Sequence, residues 1–336
     1  MLTIDDAFHL AYGRSITPEE LAWYSNARAE PASSDLGLLR SVVFAFDRQS
    51  HPTPVTLRFG VAELETADFG SFKIVLDAGD ISVGRPLLAL HEHESHIRRF
   101  VETAVRPGMT AVDIGANVGF FTMLFASLVG PSGAVFAFEP NSENNRLILL
   151  SIDANKFTQI RLHPVALTER AGAVYFSPMI GSNGGLLADT VETLTHPNCI
   201  VVPCQRLDQV VDQRVDFIKA DIEGAEYRAL LGGIALIKRW RPVVISEFSM
   251  EMLSRVSNIG GSDFLKWMAG LGYTIHLIDR QDGGLIDISD IDAFLANWGN
   301  PGRIEDFAFL PAHSLRLSIS SNVRRLVHSI GRGWPA

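Results

Sequence analysis

From residue 108 onward, short apolar runs alternate with stretches of helical period, and no other feature constrains the fold as tightly. Residues 109–114, 134–138, 160–167, 217–220 and 243–246 read as strands, and 117–129 and 141–155 between the first pairs read as helices. Continuous apolar strands joined by helical crossovers lie parallel and are covered on both faces, so an α/β architecture follows. Strands at 272–278 and 305–311 close the sheet. An insertion near 172–204 adds further strands and the loop Gly181-Ser182-Asn183-Gly184-Gly185, read as a solvated loop.

The segments before residue 108 differ in pattern. Residues 54–80 alternate apolar and polar through Val55, Leu57 and Phe59, then Phe72, Ile74 and Leu76, as strands joined by turns do. Residues 90–104 read as one helix. Residues 1–50 form a small helical module: Thr17 is a capping residue, Pro18 takes the first helical position and Glu20 completes the capping pattern. The domain boundaries that result are 1–50, 51–313 and a tail at 314–336. The tail carries Arg316, Arg324, Arg325 and Arg332 with no acidic residue. A basic tail of this kind offers weak docking to an anionic membrane or to a partner.

Composition removes several function classes. The net charge of −9 disfavours a long nucleic-acid footprint, so no nucleic-acid partner is expected. No window has 18 uncharged apolar residues, and the opening MLTIDDAFHL lacks the basic and apolar regions of a signal peptide. Cys199 and Cys204 are too few for a disulfide framework and lack the partners of a zinc site, so both are read as reduced strand residues in a cytoplasmic protein.

Three local patterns carry chemistry. The first is Asp113-Ile114-Gly115-Ala116-Asn117-Val118-Gly119, at the end of a strand and the start of a helix, where doubly wound sheets bind ligands. The second is Glu139-Pro140 at the end of the next strand, where a carboxylate accepts hydrogen bonds from a ribose diol. A dinucleotide site wants a second glycine where Asn117 stands, and that side chain crowds a diphosphate while suiting an amino-acid moiety. S-adenosyl-L-methionine therefore fits better than NAD. The third runs from Asp216 to Glu226. Period-two alternation puts Lys219 and Asp221 on one face, and three acids crowd the strand end.

Together, 113–119, 138–140 and 218–226 resemble the FkbM family of S-adenosyl-L-methionine-dependent methyltransferases, with similarity running from about Glu94 to Pro311. The resemblance implies a class I methyltransferase fold, a Rossmann-like, mostly parallel seven-stranded sheet flanked by helices. It implies cofactor contacts from Asp113, Gly115, Ala116, Asn117, Gly119, Glu139 and Pro140. Glu94 is expected to touch the cofactor or the acceptor. It also implies transfer to a small-molecule or glycan hydroxyl. An alcohol is a weak nucleophile near neutral pH, so a general base helps; Asp221, then Glu223, then Glu247 are the candidates. The N-terminal module resembles short bacterial helical repeats found beside enzymes of surface-glycan synthesis.

Other residues are read as structural. In the stretch from His91 to His96, the H-E-x-x-H register fails at Ser95 and Ile97, so no metal is expected, although a helix would place His93 and His96 on one face. His163 reads as a hydrogen-bonded strand histidine. Competing readings are a nicotinamide-dependent oxidoreductase or epimerase and a non-catalytic scaffold. The absence of Tyr-x-x-x-Lys opposes the former, and the intact Gly115, Gly119, Glu139 and Asp221 oppose the latter.

Overall fold

The computed structural model describes residues 64–178, 183–187, 193, 198–300 and 302–312; the helical module and the basic tail read from the sequence lie outside them. A hairpin of β1 (Leu64–Asp68) and β2 (Lys73–Asp77) leads into α1 (Gly84–Leu90) and α2 (Ser95–Ala104). The helix expected over 90–104 thus begins only at Ser95, and α1 before it lies ahead of the expected range. The chain breaks at 91–94, where His91 and Glu94 both take left-handed backbone (φ 51° and 42°) and end and begin the neighbouring helices. His93 therefore lies off the helix and shares no helical face with His96.

The alternating region follows as β3 (Thr110–Ile114), α3 (Phe120–Val129), β4 (Ala134–Phe138), α4 (Ser142–Asn155) and β5 (Ile160–His163). Asn141 caps α4 by accepting the Glu143 amide at 3.0 Å. The run expected to be one strand over 160–167 is broken, because β6 (Ala166–Leu167) leaves the main sheet to pair with β9 (Ile200–Gln205). With β7 (Gly172–Pro178) and β8 (Gly184–Leu186) these strands form a separate four-stranded sheet in the order β6-β9-β7-β8. Cys204 is buried in β9, whereas Cys199 precedes that strand; both thiols are free.

The second half contributes α5 (Leu207–Val210), β10 (Phe217–Ala220), α6 (Glu226–Gly232), α7 (Ile234–Trp240) and β11 (Val243–Phe248). Next come α8 (Met250–Ser257), α9 (Gly261–Gly270), β12 (Tyr273–Ile278), β13 (Leu285–Asp287), α10 (Ile291–Ala296) and β14 (Glu305–Pro311). The main sheet runs β5-β4-β3-β10-β11-β14-β12-β13. Strands β5, β4, β3, β10 and β11 are mutually parallel, and β14 is antiparallel to both β11 and β12. This is the seven-stranded class I methyltransferase order, with β13 added at one edge.

Alternation along each strand divides the core in two. Val112, Ile114, Phe136, Phe138 and Ile218 pack on one face of the sheet with α6, α8 and α9. Ala111, Val135, Ala137, Phe217 and Ile245 pack on the other with α2, α3 and the β1–β2 hairpin. Buried phenylalanines fill both, including Phe120 and Phe125 on the second face and Phe248, Phe264 and Phe307 on the first. His163 stacks on the Phe138 ring at 4.9 Å, and its Nε2 has no hydrogen bond, so stacking and not the expected hydrogen bonding holds it. Among the described residues no helix is long and apolar enough to cross a membrane.

Candidate active site

Between β3 and β10 the strand order reverses direction, and a cavity of about 530 Å³ opens at the carboxyl ends of the strands there. Sheets of this kind hold ligands at that switch point. The turn after β3 forms one wall. Gly115 has φ +80°, and a Cβ on it would lie 2.1 Å from the Asp221 carbonyl oxygen, so only glycine lets the two loops touch. Ala116 and Asn117 line the cavity beside it. Asn117 is also left-handed (φ 51°), and its Oδ1 accepts the Val118 amide at 2.7 Å. Gly119 is absent from the cavity lining. It precedes α3 with φ +94°, and a Cβ there would meet Ile148 of α4 at 2.8 Å, so it serves close helix packing.

Glu139 lies at the floor next to Pro140, 4% exposed. Its Oε2 accepts the Asn117 amide and its Oε1 the Asn141 amide, each at 2.8 Å. Burial pushes the carboxyl up to about 7, against the pull of those donors. Asp113 is fully buried; its Oδ2 accepts the Thr122 hydroxyl at 2.6 Å, while its Oδ1 has no hydrogen-bond partner. Burial raises its pKa, with Lys219 opposing.

The strand period explains how charges gather. Asp113, Lys219, Glu247 and Asp306 fall on the same sheet face as Ala111, Phe217, Ile245 and Ala308. Lys219 stands opposite Asp113 in the β3–β10 pairing, and Glu247 opposite Asp306 in the β11–β14 pairing. The Lys219 Nζ donates to Asp221 Oδ2 at 2.8 Å, as its spacing predicts, and sits 4.7 Å from the Phe121 ring centre. Burial alone would lower the Lys219 pKa; the carboxylates of Asp221, Glu94 and Asp113 outweigh it and hold the ammonium charged.

Asp221, Glu223 and Glu247 all line the cavity, and so does Glu94. Burial, together with Asp221, Glu223, Glu226 and Asp306, holds the Glu247 carboxyl well above the usual range. Asp306 does not line the cavity and is bound by His96, whose Nε2 lies 2.8 Å from its Oδ2. His93 lines the cavity and packs edge-on to Phe120 at 5.1 Å. Three of the non-glycine residues with left-handed backbone, Glu94, Asn117 and Glu223, meet in this one cavity. Backbone strain of this sort costs about 1–3 kcal/mol per residue and clusters at ligand sites.

Sequence reasoning missed several contributors. Val165, Ala166 and Leu167 form an apolar end of the cavity; the loop after a third parallel strand is a place to look, since such loops gather at the same rim. Glu226 organises the loop bearing Asp221 and Glu223, accepting the Ile222 and Gly224 amides at 2.9 and 3.1 Å. Arg280 reaches the rim from beyond β12 while pairing with Glu305 at 2.8 Å, and nothing local in the sequence marks it. Asn183 is not a solvated loop residue: it lines the cavity and accepts a hydrogen bond from Asn117 Nδ2 at 3.0 Å.

Residues 113–300, more than half of the 336, match the family described as the methyltransferase FkbM domain. The chain belongs to the FkbM methyltransferase family. A curated relative, the 31-O-demethyl-FK506 methyltransferase FkbM of Streptomyces tacrolimicus, is 29% identical over 168 residues, which cover 41% of this chain and 63% of the relative. The chain thus spans less than two thirds of that relative's length. The crystal structure of a methyltransferase FkbM from Methylobacillus flagellatus KT is similar, with 16% identity, a TM-score of 0.37, and coverage of 72% of this chain and 55% of that one. M. jannaschii TYW2, solved in complex with AdoMet, is 11% identical with a TM-score of 0.38, covering 74% of this chain and 85% of its own.

Proposed function

We propose that this FkbM-family chain uses S-adenosyl-L-methionine to methylate a hydroxyl oxygen of a sugar, glycan or other natural-product acceptor. The observation that carries the reading is the continuity of one cavity from Glu139 and the Asp113–Gly115 turn to the carboxylate rim of Asp221, Glu223 and Glu247. When bound, the cofactor supplies an electrophilic methyl group on a sulfonium. The residues present suit it. Asp113 keeps one buried oxygen without a partner, which fits an ammonium donor. Glu139 has lone pairs beyond those given to the Asn117 and Asn141 amides, which fits ribose hydroxyls. The apolar end at 165–167 fits a purine face.

On the acceptor side, Asp221 is the proposed base. Its Oδ2 is held by Lys219, which fixes the carboxylate and leaves Oδ1 to take the hydroxyl proton. Fixing both reactants in one enclosed space supplies a large part of the acceleration, since displacement at the methyl carbon needs in-line approach. The acidic rim also sorts acceptors. Hydroxyl and ammonium groups donate to carboxylates, whereas phosphate and carboxylate acceptors are repelled. Labelled methyl transfer to a panel of neutral sugars, amino sugars, macrolide alcohols, uronic acids and sugar phosphates tests this. Label is expected in neutral or amino-bearing acceptors. Transfer confined to the anionic members would contradict the acceptor class.

A further inference from the structure

The inserted four-stranded sheet has no part in the switch-point crevice by topology, yet β8 lies along it. Asn183, Gly184, Gly185 and Leu186 all line the cavity. Their position is tightly set. A Cβ on Gly184 would meet the Phe176 ring of β7 at 2.3 Å, and one on Gly185 would lie 3.2 Å from Glu223 Cβ. The strip therefore stands between the turn at Asn117 and the loop at Glu223, touching both.

The hydrogen bonds at Asn117 show what the strip holds. Its Oδ1 accepts the Val118 amide, which fixes the orientation of the side-chain amide, because only oxygen can face that N–H. Its Nδ2 must then donate outward, and Asn183 Oδ1 receives it at 3.0 Å. The Asn117 backbone amide in turn donates to Glu139 Oε2. A chain of three polar groups runs from the inserted sheet, through a residue in left-handed backbone, to the buried carboxylate on the floor. Each member fixes the next, and linked bonds of this kind restrict geometry more than isolated ones.

We propose that Asn183 is a cofactor-positioning residue: it holds Asn117, and through Asn117 the Glu139 carboxylate, in the arrangement the cavity presents to S-adenosyl-L-methionine. The proposal rests on the cofactor reading above. It also gives the insertion a task, since this sheet supplies the residue that locks the turn after β3.

The test is calorimetric titration of the full chain with S-adenosylhomocysteine. Asn183→Ala is expected to weaken binding about tenfold, the scale of one lost hydrogen bond in a partly buried site. Asn183→Asp keeps an oxygen facing Asn117 Nδ2 and is expected to bind within about threefold of wild type. In an Asn117→Ala background, Asn183→Ala is expected to cost nothing more, because its effect passes through Asn117. Wild-type affinity in Asn183→Ala, equal losses in the alanine and aspartate variants, or additive losses in the double variant would each overturn the proposal while the cofactor reading stands. Failure of the wild-type chain itself to bind would overturn the cofactor reading and this proposal with it.

Discussion

Lys219→Met is expected to lower the free energy of unfolding by about 3–5 kcal/mol, the range for breaking a buried ion pair from one side. The lysine side chain is 6% exposed and its partner Asp221 26%. Methionine matches the stem and preserves contact with Phe121, so the loss reports charge and not packing. Without the ammonium, Asp221 loses its donor and Asp113 loses the cation that opposes its burial. The Asp113 carboxyl then takes up a proton more readily. Urea unfolding followed by circular dichroism measures the change. Adding Asp221→Asn to the methionine variant should recover part of it, since one stranded charge is gone. A loss below about 1 kcal/mol would place the pair among exposed ones and contradict the description of Lys219 as a buried hub.

Asp221→Asn is expected to cut turnover by about 10²–10⁴-fold on an acceptor found by the labelled-methyl panel, the usual worth of a general base. Asparagine keeps an oxygen for Lys219, and Glu94 and Asp113 still balance the ammonium, so the affinity for S-adenosylhomocysteine should change little even where stability falls. A fall in kcat with unchanged cofactor affinity is the signature of a group acting on the reacting proton. Full turnover would remove Asp221 as base. Glu223 and Glu247, which line the same cavity, would then be the remaining candidates.

Much of this site was legible because the strand ends were legible. The runs at 134–138, 217–220 and 305–311 mark strands whose limits match those observed, and the acids that follow the first two, Glu139 and Asp221, fall on one rim. That is why Asp113, Glu139, Asp221 and Glu247 could be placed from spacing alone. Period-two alternation likewise gave the Lys219–Asp221 pair. Pairing partners in other strands were not legible. The row from Asp113 through Lys219 to Glu247 and Asp306 depends on strand order and register, and neither is written in any local window.

Two other misreadings have the same origin. In the run over 160–167 Pro164 stands where the chain leaves the main sheet after His163, but that Ala166 then joins another sheet is set by its partner strand β9 and by nothing local. The pattern over 90–104 is helix-like, but Glu94 takes left-handed backbone at the cavity wall and the helix begins only after it. Local preference yields where tertiary contacts hold a strained residue, and such residues mark sites. Asn183 shows the reverse case: a Gly/Ser/Asn loop reads as solvent-facing by composition, and only its meeting with Asn117 gives it a place.

The proposed chemistry depends first on this cavity holding S-adenosyl-L-methionine through Glu139. Calorimetric titration of the full chain with S-adenosyl-L-methionine and S-adenosylhomocysteine, with NAD and NADP alongside and Glu139→Ala in parallel, tests it most directly. Binding of the first two ligands at micromolar affinity, none of the dinucleotides, and a loss of about 10–100-fold in the alanine variant are expected, as befits removal of a buried hydrogen-bond acceptor. Binding of NAD in place of the methyl donor, or an alanine variant that binds as tightly as the wild type, would contradict the cofactor reading.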